Sequence, residues 1–210
     1  MEPGRIWYGA YGSNLCAERF GRYLTGGVMP GTSLDHRGAR DSTPARRWVV
    51  AHAPHRLCFG HHSSRWGGGV AFLDPRFGSG RAVLRCWDLT GEQFVDVAAQ
   101  ENGMTPGELE IDLEELTERG SLEISDRWYG RALVVGGIEG APVVTFTSGE
   151  PVAPNPPEEA YLAVVVTGLV ESGAASDEDA AVEYLLAVDG LARRWPRPRL
   201  AALVRSIVER

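Results

Sequence analysis

The chain has 210 residues, 43% hydrophobic and 23% charged, which is enough for one globular domain with a real core. Its formal net charge of −7 argues against general nucleic-acid binding, which calls for a basic face, although Arg193, Arg194, Arg197 and Arg199 cluster near the C-terminus. All 21 basic residues are arginine, which reads as a high-GC coding bias of bacterial type and excludes Schiff-base lysine chemistry.

Cys16, Cys58 and Cys86 are too few and too scattered for a disulfide framework, so a reducing cytoplasm is the expected setting. No apolar run reaches membrane-spanning length, and Met1-Glu2-Pro3-Gly4 leads straight into a strand rather than into a signal peptide.

The first strand alternates Ile6, Tyr8 and Ala10 with Trp7, Gly9 and Tyr11. Gly12 follows, a residue suited to a positive φ or to a close backbone approach. Ser13 and Asn14 are preferred N-cap residues, and a helix is expected from Leu15 to about Thr25, stopped by Gly26-Gly27. Strand, tight turn and helix start then present backbone N–H groups suited to a carboxylate or an oxyanion, although a capped turn that binds nothing has the same pattern.

Gly26 to Arg46 lacks periodicity and is expected to cross the surface as a loop. Strands are expected over Arg47 to Ala51 and Arg56 to Gly60. His52, His55, His61 and His62 have no acidic or cysteine partner at a recognised metal spacing, so no metal site is assigned to them. A glycine turn, Gly67-Gly68-Gly69, leads into a strand ending at Leu73, and Arg81 to Leu89 forms the next.

Thr90-Gly91-Glu92-Gln93 matches a capping box, and Phe94, Val97, Ala98 and Glu101 then share one helical face, with Gly103 beyond as a stop. Glu101 occupies an apolar slot in the last turn, where burial and the negative helix end both disfavour its ionised form. That placement suits acid–base work, and a helix-end Glu turned to water or paired with an Arg is the plain alternative. Glu92 lies in the first turn, where the dipole favours the carboxylate, and Asp96 faces away from the stripe.

An acidic segment, Pro106 to Arg127, is expected to hold a short helix. Strands over Tyr129 to Val135 and Pro142 to Thr147 come next. Pro157 with Glu158-Glu159 prepares a helix, but Leu162 to Leu169 is β-branched and ambiguous by itself. Two helices close the chain, with stripes Val182, Leu185, Leu186 and Leu200, Leu203, Val204, Ile207.

Two words in this order carry a family resemblance. Ala10-Tyr11-Gly12-Ser13-Asn14-Leu15, at the end of a first strand, resembles the signature of the gamma-glutamylcyclotransferase superfamily. Gln100-Glu101-Asn102-Gly103, on a helix after a strand bearing Trp87, resembles that family's catalytic glutamate word, with Asn102 added before the glycine. The resemblance implies an α+β fold: a small, mixed, closed β-barrel decorated by helices. It implies one domain over residues 1–210, with insertions near 26–46 and 104–127.

It also implies an enzyme that releases 5-oxoproline from a small γ-glutamyl compound by intramolecular attack. Glu101 would be the general acid/base. Tyr11, Gly12, Ser13, Asn14, Leu15 and Tyr161 would bind substrate. No metal or cofactor, no nucleic acid and no membrane are implied, and monomer and homodimer are both compatible. A binding or regulatory module on the same fold, and an enzyme acting on another amide or ester, remain alternatives. A thiol hydrolase through Cys16, at a helix start, lacks a histidine in a recognisable pattern.

Overall fold

In a computed structural model, residues 4–29, 35–76, 78 and 80–209 are described. The expectations for Met1 to Pro3, and for the middle of the 26–46 loop at 30–34, lie outside the described residues. The chain divides into two compact units of interleaved segments: residues 1–10, 17–51 and 85–149, and residues 11–16, 52–84 and 150–210.

The first unit is built on a six-stranded mixed sheet. Its strands are β1 (Arg5–Ala10), β4 (Trp48–Ala53), β7 (Ala82–Thr90), β8 (Ser121–Glu123), β9 (Arg131–Ile138) and β10 (Ala141–Thr147), in the order β4-β7-β1-β10-β9-β8. Strand β1 is central because both its neighbours bond it. It runs antiparallel to β7, from Arg5↔Thr90 to Ala10↔Arg85, and parallel to β10 at Trp7↔Val143 and Tyr8↔Val144. No ladder among the described residues joins β4 to β8, so the closure implied by the resemblance is not seen among them. A two-residue ladder, β2 (Gly27–Val28) with β3 (Asp35–His36), breaks the expected loop.

The alternation of β1 sets the core. Ile6, Tyr8 and Ala10 face the helices α1 (Ala17–Thr25) and α2 (Gly91–Glu101) and join Phe20, Leu24, Phe94, Val97 and Ala98 in one buried cluster. Tyr8 stacks on Phe146 at 5.3 Å between ring centroids, and Phe20 on Trp87 at 4.7 Å. Each such pair adds about 0.5–1.5 kcal/mol to what burial alone supplies. On the opposite face Trp7 is fully buried, donates from Nε1 to the Ile138 carbonyl at 3.1 Å and lies under the Arg47 guanidinium.

Helix α2 follows its expected pattern closely. The Thr90 side chain accepts from Gln93 N, and Gln93 Oε1 accepts from Thr90 N, which closes the capping box. Asp96, expected only to face away from the stripe, is in fact fully buried, because Arg40 and the Gly107 backbone cover it. The acidic insertion is ordered: Asp112 caps α3 (Leu113–Arg119) through Glu114 N and Glu115 N, and β8 then extends the sheet.

The second unit contains the hairpin β5 (Leu57–Ser63) and β6 (Gly68–Leu73) with helices α4 (Glu159–Glu171), α5 (Glu178–Leu186) and α6 (Arg197–Val208). The ambiguous β-branched run is helical. Tyr161, Leu162, Val165, Val166 and Leu169 are buried at helical spacing, and that burial outweighs the few tenths of a kcal/mol per residue by which valine disfavours a helix. Trp195 is fully buried and donates from Nε1 to the Pro157 carbonyl at 2.9 Å, which anchors the entry to α4. Among the described residues no helix is long and apolar enough to cross a membrane.

Candidate active site

The segment after β1 forms a 3-10 turn, Ser13–Leu15, rather than the start of a long helix. Leu15 N donates to the Gly12 carbonyl at 3.0 Å and Cys16 N to the Ser13 carbonyl at 3.2 Å. Cys16 is then extended, and α1 begins at Ala17, two residues later than the apolar pattern suggests. The N-cap position of the turn is Gly12, with no side-chain cap, so Ser13 and Asn14 lie inside the turn rather than at its N-cap. Tyr11, Ser13, Asn14 and Leu15 are all buried.

Gly12 does not use a positive φ; its backbone sits at φ −118°, ψ −135°. What its hydrogen side chain provides is a close approach. A Cβ there would stand 2.9 Å from the Ala71 Cβ and 3.0 Å from the Tyr161 hydroxyl. Tyr161 is itself held: its hydroxyl accepts from Ala71 N at 3.0 Å, and Phe59 and Trp66 meet its ring edge to face. The structure therefore brings Gly12 and Tyr161, from two of the predicted positions, to one point on β6. On the far side of the turn, Gly168 of α4 faces Leu15 and Cys16 with no room for a side chain.

Glu101 belongs to the first unit and is the last residue of α2, half-buried as the stripe predicts. Its neighbours in the word anchor the helix end. Gln100 Nε2 donates to the Tyr23 carbonyl at 2.9 Å, and Gln100 Oε1 accepts from Gly38 N at 3.2 Å. Asn102 Nδ2 donates to the Ala98 and Tyr129 carbonyls, while its Oδ1 accepts from Tyr129 N at 3.1 Å. Asn102 therefore ties the end of α2 to the segment entering β9.

Two residues of α1 to which the sequence pattern assigns no role stand in line with Glu101: Tyr23 contacts it, and Arg19 contacts Tyr23. The Tyr23 hydroxyl hydrogen-bonds the Glu101 carboxyl and accepts from Arg19 Nη2 at 2.9 Å. Arg19 and Tyr23 are both buried. Burial, first, raises the Tyr23 hydroxyl well above its ordinary range; Arg19 opposes this, and Glu101 adds to it by its charge and by the hydrogen bond. Tyr23 is thus a proton-bearing donor toward Glu101. Their i, i+4 spacing on α1 was a usable signal, but it does not reveal the partner on α2.

The cysteines are buried, and burial pushes the Cys58 and Cys86 thiols up from 9.0 to about 12. His55 is buried with Nδ1 2.9 Å from the Asp74 carbonyl. Among the described residues no group of three or more His, Cys, Asp or Glu is placed to hold a metal ion. The insertion borders an open cleft of about 560 Å³, lined by Glu110, Glu115, Arg119, Glu123 and Arg131 among others, and no predicted site residue lines it.

No protein-family model matches the chain. It is 35% identical over 195 residues to histone deacetylase 5 of Arabidopsis thaliana, a match that covers 83% of this chain but spans only 29% of the plant protein. Among solved structures it is similar to a human protein described as uncharacterized protein loc79017, at a TM-score of 0.50 with 18% identity over 81% of each chain. A structure named gamma-glutamyl cyclotransferase aligns at a TM-score of 0.48, again with 18% identity, over 80% of each chain. The likeness to the human protein is one of fold alone.

Proposed function

We propose that the chain is an enzyme of gamma-glutamylcyclotransferase type. In this reading the α-amine of a γ-glutamyl group attacks its own γ-carbonyl. A ring C–N bond forms, the γ-amide C–N bond breaks, and 5-oxoproline leaves together with an amine or amino acid. Glu101 takes the proton from the attacking amine and returns it to the leaving nitrogen. Such acid–base help contributes ~10²–10⁴-fold.

The loop Tyr11 to Leu15 and Tyr161 bind the substrate, with backbone at Gly12, Ser13 and Asn14 directed to a carboxylate or to the oxyanion. A well-placed donor to the oxyanion contributes about 3 kcal/mol. The reaction uses no metal and no organic cofactor, and its setting is the cytoplasm. The observation that carries the reading is Glu101 in an otherwise apolar stripe at a helix end, its carboxyl engaged by the hydroxyl of a buried tyrosine.

The test is mass spectrometry of 5-oxoproline released from a panel of γ-glutamyl amino acids, γ-glutamylamines and glutathione, with wild type beside Glu101→Gln. Release by wild type, abolished in the variant, is the expected result, and the best substrate names the leaving group. Release that survives Glu101→Gln removes the assigned acid/base.

One observation favours a second reading. The plant protein similar to this chain is much longer than the matched part and is named for another activity. A segment that accompanies a different enzyme fits a ligand-binding or regulatory module on this fold. No 5-oxoproline from any compound, together with saturable binding of one of them, would move this reading ahead.

A further inference from the structure

We propose that Arg19 and Tyr23 are positioning residues, forming a buried relay that orients and polarises the Glu101 carboxyl; this deepens, and rests on, the reading of Glu101 as acid/base. Arg19 and Tyr23 lie one turn apart on α1, so their side chains meet on the same helical face. Arg19 Nη2 donates to the Tyr23 hydroxyl oxygen at 2.9 Å, which leaves the O–H proton directed at Glu101. A cation donating to a phenol oxygen strengthens that phenol as a donor, and the effect is larger out of water. Arg19 and Tyr23 are each only 2% exposed, so solvent does not dilute the relay.

The backbone holds the same geometry independently. Gln100 Nε2 bonds the Tyr23 carbonyl, so the residue beside Glu101 is tied to the residue whose hydroxyl contacts it. The groups facing Tyr23 are Arg19 from its own helix, Glu101 from α2, Tyr8 from β1 and the His36 ring from β3, at 4.3 Å between centroids. Of these, only Arg19 is a permanent cation. A carboxyl that alternately takes and gives a proton needs one oxygen held in place while the other faces the reacting nitrogens. The relay supplies that fixed point.

The test uses the full chain with 13C-labelled glutamate carboxyls, the Glu101 resonance being assigned by its loss in Glu101→Gln. In Tyr23→Phe the Glu101 carboxyl resonance at pH 7 is expected to move away from its wild-type position, because the hydrogen bond to that carboxyl is lost. Arg19→Gln should move it the same way, and Arg19→Lys should return it toward wild type.

Where wild type turns over, Tyr23→Phe should lower kcat by about 10–100-fold with KM within two-fold, since orientation of the acting group is lost and binding is not. An unchanged Glu101 carboxyl resonance in both Tyr23→Phe and Arg19→Gln overturns the relay whether or not the chain is a cyclotransferase. Absence of 5-oxoproline from wild type overturns the functional reading alone, and the carboxyl resonance still decides the relay.

Discussion

Gly168 of α4 lies against Leu15 so closely that a Cβ added to it would fall on the Leu15 Cβ and main chain and 2.5 Å from the Cys16 nitrogen. Real Cβ atoms do not come so near to backbone, and a backbone amide cannot rotate aside as a side chain can. This contact presses the 3-10 turn onto the helix. Gly168→Ala must therefore move the turn or the helix. We expect a loss of about 1–3 kcal/mol, the range for overpacking, measured by urea unfolding. Gly12→Ala, which meets Ala71 and Tyr161, should disturb the same turn with a smaller loss, because the Tyr161 hydroxyl can shift. An unchanged midpoint for Gly168→Ala would show that the turn is not held by this contact.

Asp96 fastens three pieces of the first unit. Its carboxylate accepts from Arg40 N at 2.9 Å, Arg40 Nε at 3.1 Å and Gly107 N at 3.0 Å. Arg40 is half-exposed, so little stability is credited to the ion pair itself. The backbone donors matter more. Asp96→Ala leaves the Arg40 and Gly107 amides without this acceptor, at a cost of roughly 2–4 kcal/mol. Hydrogen exchange should speed up at Arg40 and Gly107 before it does in the middle of α2. Uniform protection in the variant would refute the role.

The thiols give a chemical prediction. Cys58 and Cys86 are raised to about 12, first by burial and, for Cys58, also by Asp189 and Asp74. Since the thiolate is the nucleophile, the native chain at pH 8 should react with iodoacetamide at these two sites far more slowly than the unfolded chain. Cys16, also buried, should be protected as well. Fast labelling of one thiol in the native state, or loss of 5-oxoproline release in Cys16→Ala, would revive a thiol mechanism.

Alkaline stability follows from the same groups and from Tyr184. The Tyr184 hydroxyl is raised from 10.0 to about 12 by burial, against a lowering by its hydrogen bond from Val83 N at 3.0 Å. For an acid whose folded value is raised, the folded state holds its proton longer than the unfolded state does. Its stabilisation is fully present below the unfolded value and is lost as pH rises through the folded value. Urea midpoints should therefore fall between about pH 9 and pH 12, across the shifts of Cys58, Cys86 and Tyr184. Tyr184→Phe should flatten part of that fall, while lowering stability at pH 7 because Val83 N loses its acceptor. A midpoint independent of pH over this range would contradict the burial of these groups.

Much of the local structure was legible because its causes are neighbours in the chain. The capping box at Thr90 and Gln93, the stripe ending at Glu101 and the alternation of β1 each act over a few residues, and each is found where its pattern puts it. The helical run from Tyr161 to Leu169 also carried its period, which β-branched composition obscured. Locally favourable signals that met a tertiary competitor did not survive. Ser13 and Asn14 are good caps, yet the chain there is compressed against Gly168 and makes a 3-10 turn with α1 starting late.

The sequence by itself determined most of the segments, β1 and α2 among them, and it singled out Glu101 and the Tyr11 to Leu15 word as candidates for chemistry. The tertiary structure alone decided what surrounds them: the Tyr23 hydroxyl on Glu101, the Tyr161 hydroxyl beside Gly12, and β8 paired to β9 in the sheet. The physical reason is range. Hydrogen-bonding periodicity and capping are encoded within a turn or two of the chain. A buried hydroxyl's partner is fixed by which distant segments the packing of the core brings together, and no spacing along the chain records it.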